Sequence, residues 1–244
     1  MKLKSKIAVV TGASTGIGRA IAIEFAKQGA SVFITARRKK ELDQTKKIIE
    51  QQGGQAEIIV ADLSKIDSIN NLIQSVKNKT KKIDILVNVA GIWHGKSQVY
   101  ADKNFDTFSQ QVILNTITVG VTAPTLLAHA FIPLMPKNSK ILNISGTFED
   151  GAKGWLPYYV SKKAIEDLTV GLSEELKDRQ IQVNCISPSD TATSPYKKFF
   201  PEYASDGLAP EKIAKQAVQL CLSKTTGKVI VMKKGKKPFE SFHF

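Results

Sequence analysis

Short β-branched runs alternate along this chain with longer stretches of helical period, and no other sequence feature restricts the fold as much. The runs fall at residues 7–10, 32–35, 57–60, 83–87, 140–144, 182–186 and 228–232. Helical spacing fills 17–28, 39–52, 65–79, 108–135, 159–178 and 210–222. Runs separated by helices are the signature of a parallel sheet covered on both faces. Parallel neighbours need crossovers, and right-handed ones are strongly favoured. A chain of 244 residues suits one such unit. With no internal repeat and no linker, residues 1–244 are expected to form a single doubly wound α/β domain. The one long irregular stretch, 187–209, carries Pro188, Pro195 and Pro201 among aromatic residues and is expected to be a mobile lid over a substrate.

The bulk properties exclude several classes. With 42% hydrophobic and 23% charged residues the chain is globular rather than disordered. Cys185 and Cys221 cannot build a disulfide framework, so a reducing, cytoplasmic setting is expected. The first apolar stretch, of about five residues, is too short for a signal-peptide core. The net charge of +13 comes from lysines scattered over the whole chain without interleaved aromatics. That pattern reads as a solvated basic surface, and specific nucleic-acid binding is not expected. Between Asp106 and Lys137 there is no acidic or basic residue. Asn115, Pro124, His129 and several threonines interrupt this stretch, so it reads as a helix buried against protein and not as a membrane span. His94, His129 and His243 are isolated, and no metal site is expected.

Directly after the first run comes Thr11-Gly12-Ala13-Ser14-Thr15-Gly16-Ile17-Gly18, which opens a helix. Glycines at these places let the backbone turn sharply and approach a pyrophosphate, while the helix N-terminus offers free N–H groups and partial positive charge. This strand–turn–helix context points to a Rossmann-like dinucleotide site, held by Gly12, Ser14, Thr15, Gly16, Ile17 and Gly18. An acidic residue ending the second run would select NAD through the ribose hydroxyls. The chain reads Thr35-Ala36-Arg37-Arg38 there. A guanidinium at Arg37 can hold a 2′-phosphate by charge-assisted bonds, so the expected cofactor is NADP(H).

At this point the sequence resembles the short-chain dehydrogenase/reductase family over essentially its whole length. The likeness rests on the glycine turn, Asp62 after the third run, Asn88-Val89-Ala90-Gly91 after the fourth, and Tyr158-Tyr159-Val160-Ser161-Lys162 opening a helix. The resemblance implies that Asp62, with Leu63 beside it, contacts adenine. It implies that Asn88, Ala90 and Gly91 support the cofactor, and that Thr193 bonds the nicotinamide amide. It also implies reversible reduction of a ketone or aldehyde, a 3-oxoacyl group among the candidates. In that chemistry Tyr158 gives the proton, Lys162 tunes the phenol and holds the ribose, and Ser145 orients the carbonyl.

Residues four apart share a helical face, so Lys162 can sit beside the Tyr158 hydroxyl. Moving a phenol from a pKa of about 10 to about 7 requires roughly 4 kcal/mol. A lysine charge at ~4 Å offers about that much at an effective dielectric of 20. One cation is therefore expected to do most of the tuning.

Three positions depart from the family pattern. Asn143-Ile144-Ser145 is followed by Gly146 and Thr147 instead of a second serine. Counting back from Tyr158 reaches Ser145, and aligning by the strand reaches Gly146. Ser145 is preferred as the carbonyl-polarising hydroxyl, with Thr147 the alternative. The family's asparagine in the fourth helix falls on Gly120 when counted back from Pro133 and on Asn115 when counted forward from Phe108. The family's Pro-Gly after the sixth run is Pro188-Ser189 here. These departures motivate a rival reading, a cofactor-binding regulatory or scaffold protein that has lost turnover. The uncharged 108–135 helix and the mixed face of 159–178 offer more apolar surface than one sheet needs, so a homodimer or homotetramer is expected.

Overall fold

The computed structural model describes residues 1–149, 151–203 and 205–243. Its strands are β1 (Ile7–Thr11), β2 (Ser31–Ala36), β3 (Gln55–Val60), β4 (Ile85–Asn88), β5 (Lys140–Ile144), β6 (Gln182–Pro188), β7 (Val229–Met232) and β8 (Phe239–Glu240). Its α-helices are α1 (Gly16–Lys27), α2 (Lys39–Gln51), α3 (Ile66–Lys79), α4 (Gln110–Ile117), α5 (Ala123–Phe131), α6 (Leu156–Glu175), α7 (Ser194–Phe199) and α8 (Pro210–Leu222). The strands form one sheet in the order β3-β2-β1-β4-β5-β6-β7-β8. This is a Rossmann-like architecture. Strand order reverses between β1 and β4, and the crevice outside their carboxyl ends is where an open α/β sheet takes its ligand.

Neighbouring residues of each central strand face opposite layers, which explains why the run 7–10 is apolar throughout and why apolar residues predominate in the others. Ala8 and Val10 join Ile21, Phe25 and Ile213 on one side of the sheet. Val9 and Leu86 join Ile69, Leu72, Leu127 and Phe131 on the other. All of these side chains are fully buried or nearly so.

The structure amends the expected elements in three places. β8 is a two-residue strand antiparallel to β7, too short to carry a periodic signal. The expected 108–135 helix is divided into α4, a π-helical segment at Thr118–Thr122, and α5. The π segment centres on Gly120, where a Cβ would lie 2.7 Å from the Cβ of Ser161 in α6. Close packing of two helices thus meets the residue with weak helical preference, and the backbone widens there. Among the described residues this run, Gln110–Leu134, is long and apolar enough by length and composition to cross a membrane. Its inward side, with Val119, Ala123, Leu127 and Phe131, nevertheless lies in the core.

The stretch 187–209 is not irregular throughout. β6 runs on to Pro188, α7 occupies Ser194–Phe199, and a 3₁₀ turn covers Pro201–Tyr203. Thr193 caps α7 by accepting the Tyr196 N–H at 3.2 Å, and Pro195 pre-sets the first turn. Ala204, within the same stretch, lies outside the described residues.

Candidate active site

The site begins where β1 ends. Gly12 has φ +67°, and a Cβ there would lie 3.0 Å from the backbone nitrogen of Ala90. Only glycine fits both the left-handed turn and that approach. Gly16, at φ +58°, packs against the methyl of Thr193, 2.9 Å from where its Cβ would be. Gly18 lies against the Gly12 carbonyl. Ser14 is buried, and its carbonyl accepts a bond from Arg19. Thr15 is the extended N-cap of α1, but its side chain makes no capping bond. The first N–H groups of α1, including those near Ile17, therefore keep no side-chain partner at the cap.

Thr11 joins this turn to the next one, a role that motif reading missed. Its Oγ1 accepts the N–H groups of Val89 at 3.0 Å and Ala90 at 3.3 Å, and donates to the Val87 carbonyl at 3.4 Å. Asn88, in register with Asn143, donates from Nδ2 to Asn143 Oδ1 at 2.9 Å; Asn143 in turn donates to Thr169 Oγ1 at 2.9 Å. Asn88 Oδ1 is buried without a partner among the described residues. Gly91 lets the turn close on α6, since a Cβ there would lie 3.3 Å from Lys162 Nζ.

On the other side of β1, Arg37 is exposed at the end of β2 and forms no ion pair among the described residues. Its neighbour Arg38 pairs with Glu41 at 3.3 Å. Asp62 accepts from the Ser64 N–H and hydroxyl at 3.1 and 2.8 Å, while Leu63 is buried beside it. Gly12 to Gly18, Arg37, Asp62 with Leu63, Asn88 to Gly91 and Thr193 thus all stand at the carboxyl edge of the sheet.

In the α6 pair Lys162 is tightly enclosed and Tyr158 is half-buried. Lys162 is 3% exposed, donates to the Ile144 carbonyl at 2.8 Å, and lies 5.2 Å from the Tyr158 ring centre. Burial pushes its pKa down to about 8, with the Cys185 thiol and the Glu166 carboxylate pulling the other way. Burial raises the Tyr158 phenol above its ordinary range. The expected tuning of the phenol by one lysine charge is therefore not what this geometry produces. One of the three ammonium donors serves a backbone carbonyl, and desolvation of the phenolate dominates.

Ser145 also differs from expectation. It is 3% exposed, and its hydroxyl is directed to the Glu166 carboxylate and the Lys162 carbonyl, the latter at 3.0 Å. Glu166 is wholly buried and needs donors. It takes Ser145 on one oxygen and the His243 N–H at 2.8 Å on the other, with Lys163 Nζ 3.9 Å away. Thr147 is half-buried and bonds Pro188 only through its backbone N–H, so its side-chain oxygen has no partner among the described residues. Gly120 is the residue brought against α6, at Ser161, while Asn115 is tied to Gln111 at 2.8 Å on the exposed side of α4. Glu166 was visible in sequence as an acid four residues after Lys162; its burial was not. Among the described residues no group of His, Cys, Asp or Glu side chains could hold a metal.

A glycine turn on a doubly wound sheet, facing a Tyr–Lys pair on one helix, defines an oxidoreductase of the α/β class. Comparison with known proteins makes this specific: the family model described as short chain dehydrogenase matches residues 6–204. A fatty acyl-CoA reductase of Acinetobacter baylyi is 32% identical over 215 residues, covering 87% of this chain and 68% of that protein. An uncharacterised oxidoreductase of Staphylococcus saprophyticus is 31% identical over 223 residues, covering 89% and 92%. A short chain dehydrogenase from Burkholderia cenocepacia, solved in complex with NADP, superposes with a TM-score of 0.86 at 26% identity, covering 96% of this chain and 99% of that one. The chain belongs to the short-chain dehydrogenase/reductase family of oxidoreductases.

Proposed function

We propose that the protein is an NADP(H)-dependent reductase that reversibly converts a ketone or aldehyde to an alcohol. The observation that carries this reading is the contact of Gly91 with Lys162, which sets the Tyr158–Lys162 helix directly against the turn that Thr11 ties to the glycine loop. The cradle fits a dinucleotide: Gly12 and Gly16 leave room that a Cβ would fill, and the uncapped start of α1 suits a pyrophosphate. Unpaired Arg37 suits a 2′-phosphate better than ribose hydroxyls. When bound, the nicotinamide supplies the hydride that the carbonyl carbon receives.

The chain's own residues do the rest. Lys162 holds the ribose and places a positive charge beside Tyr158. Tyr158, kept protonated by its burial, gives its proton to the carbonyl oxygen. Because Ser145 is occupied by Glu166, Thr147 is the hydroxyl that polarises the carbonyl. Thr193 closes on Gly16 and serves the nicotinamide end. The assembly is a homo-oligomer joined through α4 and α6, whose Leu114 and Val160 stay 62% and 44% exposed; a monomer in light scattering would contradict that.

The test is a screen of ketones, aldehydes and acyl thioesters for NADPH consumption. Turnover with at least one carbonyl class is expected. Tight NADPH binding without any turnover would instead establish the scaffold reading, which Gly120 and Gly146 favour in the one alignment that sets them, in place of Asn115 and Ser145, at the family's polar positions.

A further inference from the structure

The catalytic phenol stands at one end of a row of aromatic rings drawn from separate segments. Tyr158 contacts Phe148 and Trp155, with ring centres 5.9 and 6.2 Å apart. Trp155 lies 6.2 Å from Phe200 at an interplanar angle of 33°. Phe200 in turn stacks on Trp93 at 6.3 Å and 26°, and Phe199 meets the edge of Trp93 at 6.0 Å. These rings come from the loop after β4, the loop before α6, α6 itself and the end of α7, so no local pattern assembles them. Core rings such as Phe25 and Phe131 are fully buried, whereas every ring of the row is only half-buried. A chain that leaves this much aromatic surface incompletely covered beside its proton donor has a binding surface there.

We propose that this row is the substrate seat and that the substrate is a planar, uncharged aromatic ketone, stacked along Trp155, Phe200 and Trp93 with its carbonyl at Tyr158. The inference rests on the proton-donor role of Tyr158 proposed above. Offset stacking on several rings favours a flat π-system over an aliphatic chain of equal size. The groups around the far end also fit this class. His94 packs on Phe199, and burial, with Arg38, Arg37 and Lys198 assisting against its bond to the Gly95 carbonyl, disfavours the charged imidazolium.

The chain's two tryptophans, Trp93 and Trp155, both belong to the row, so intrinsic tryptophan fluorescence reports on this seat alone. Two measurements test the proposal. In the first, kcat/KM with NADPH is compared for a naphthyl methyl ketone and an alkyl methyl ketone of equal carbon number. The aryl ketone is expected to be preferred tenfold or more, and Phe200→Leu and Trp155→Leu are each expected to lower that ratio about threefold to tenfold. A ratio near one, or a ratio that both Leu variants leave unchanged, would overturn the seat. In the second, 1-(2-naphthyl)ethanol and its alkyl counterpart are titrated into protein saturated with NADP⁺. Saturable fluorescence quenching by the aryl alcohol only is expected. Quenching without turnover would keep the aromatic seat and defeat the reductase reading, whereas turnover of other carbonyls without quenching would defeat the seat alone.

Discussion

Replacing Thr11 by Val keeps the side chain's shape and removes only the atom that joins the two cofactor-side turns. Thr11 is 1% exposed, and its Oγ1 is the acceptor for the Val89 and Ala90 N–H groups at 3.0 and 3.3 Å. Each buried donor left unpaired costs about 1–3 kcal/mol. The longer bond to Ala90 and the weak one donated to Val87 place the sum near ~3 kcal/mol. For a chain of this size 1 kcal/mol moves Tm by about 2–4 °C, so Thr11→Val should melt roughly 6–12 °C lower. Urea denaturation and a thermal scan read the loss. NADPH titration should show weaker binding, because the turn that carries Gly91 is no longer pinned. Thr11→Ser, which restores the acceptor, should recover most of both. A Thr11→Val protein within about 0.5 kcal/mol of the parent would refute the claim that this hydroxyl organises the site.

Four further outcomes rest on the same geometry. Reduction needs Lys162 charged and Tyr158 protonated; with the lysine pushed down to about 8 and the phenol pushed up, kcat/KM for reduction should be flat near neutrality and fall above pH about 8. The lysine's folded-state pKa lies below its ordinary 10.5, so its burial destabilises the fold most at low pH, and stability should rise from pH about 8 upward. A pH–rate profile still flat at pH 10 would contradict the first of these. Arg37→Ala should weaken NADPH binding by about 1–3 kcal/mol and leave NADH unchanged, read by paired titrations; equal losses for both would remove Arg37 as the phosphate contact. Ser145→Ala should cost stability of about 1–3 kcal/mol by unpairing Glu166, while Thr147→Val should reduce kcat with little effect on melting. The reverse pattern would return the carbonyl-polarising role to Ser145.

What the sequence made legible was local. β1 announces itself because both its faces are buried and Ile7–Val10 is apolar throughout, β5 and β6 because apolar residues predominate around Lys140, Asn143, Gln182, Asn184 and Ser187, and the glycine turn and the Tyr158–Lys162 spacing each sit within one turn or one helix. What it hid depends on partners distant in the chain. The break in the long apolar helix arises where Gly120 meets Ser161. The direction of the Ser145 hydroxyl is set by Glu166, whose burial also involves His243. The phenol's pKa is decided by enclosure, which spacing arithmetic omits. α7 is the instructive exception: Thr193 followed by Pro195 is a readable helix start, yet the prolines around it suggest only a loop.

Proton delivery rests on Tyr158, and turnover and NADPH affinity measured side by side for Tyr158→Phe test it. The phenylalanine keeps the ring contacts with Phe148 and Trp155 and lacks only the hydroxyl that carries the acidic proton. The dissociation constant for NADPH should stay nearly unchanged while carbonyl reduction falls by roughly 10²–10⁴. Undiminished reduction by Tyr158→Phe would contradict the central claim and move the proton-donor role to Tyr159, which has Lys163 four residues on.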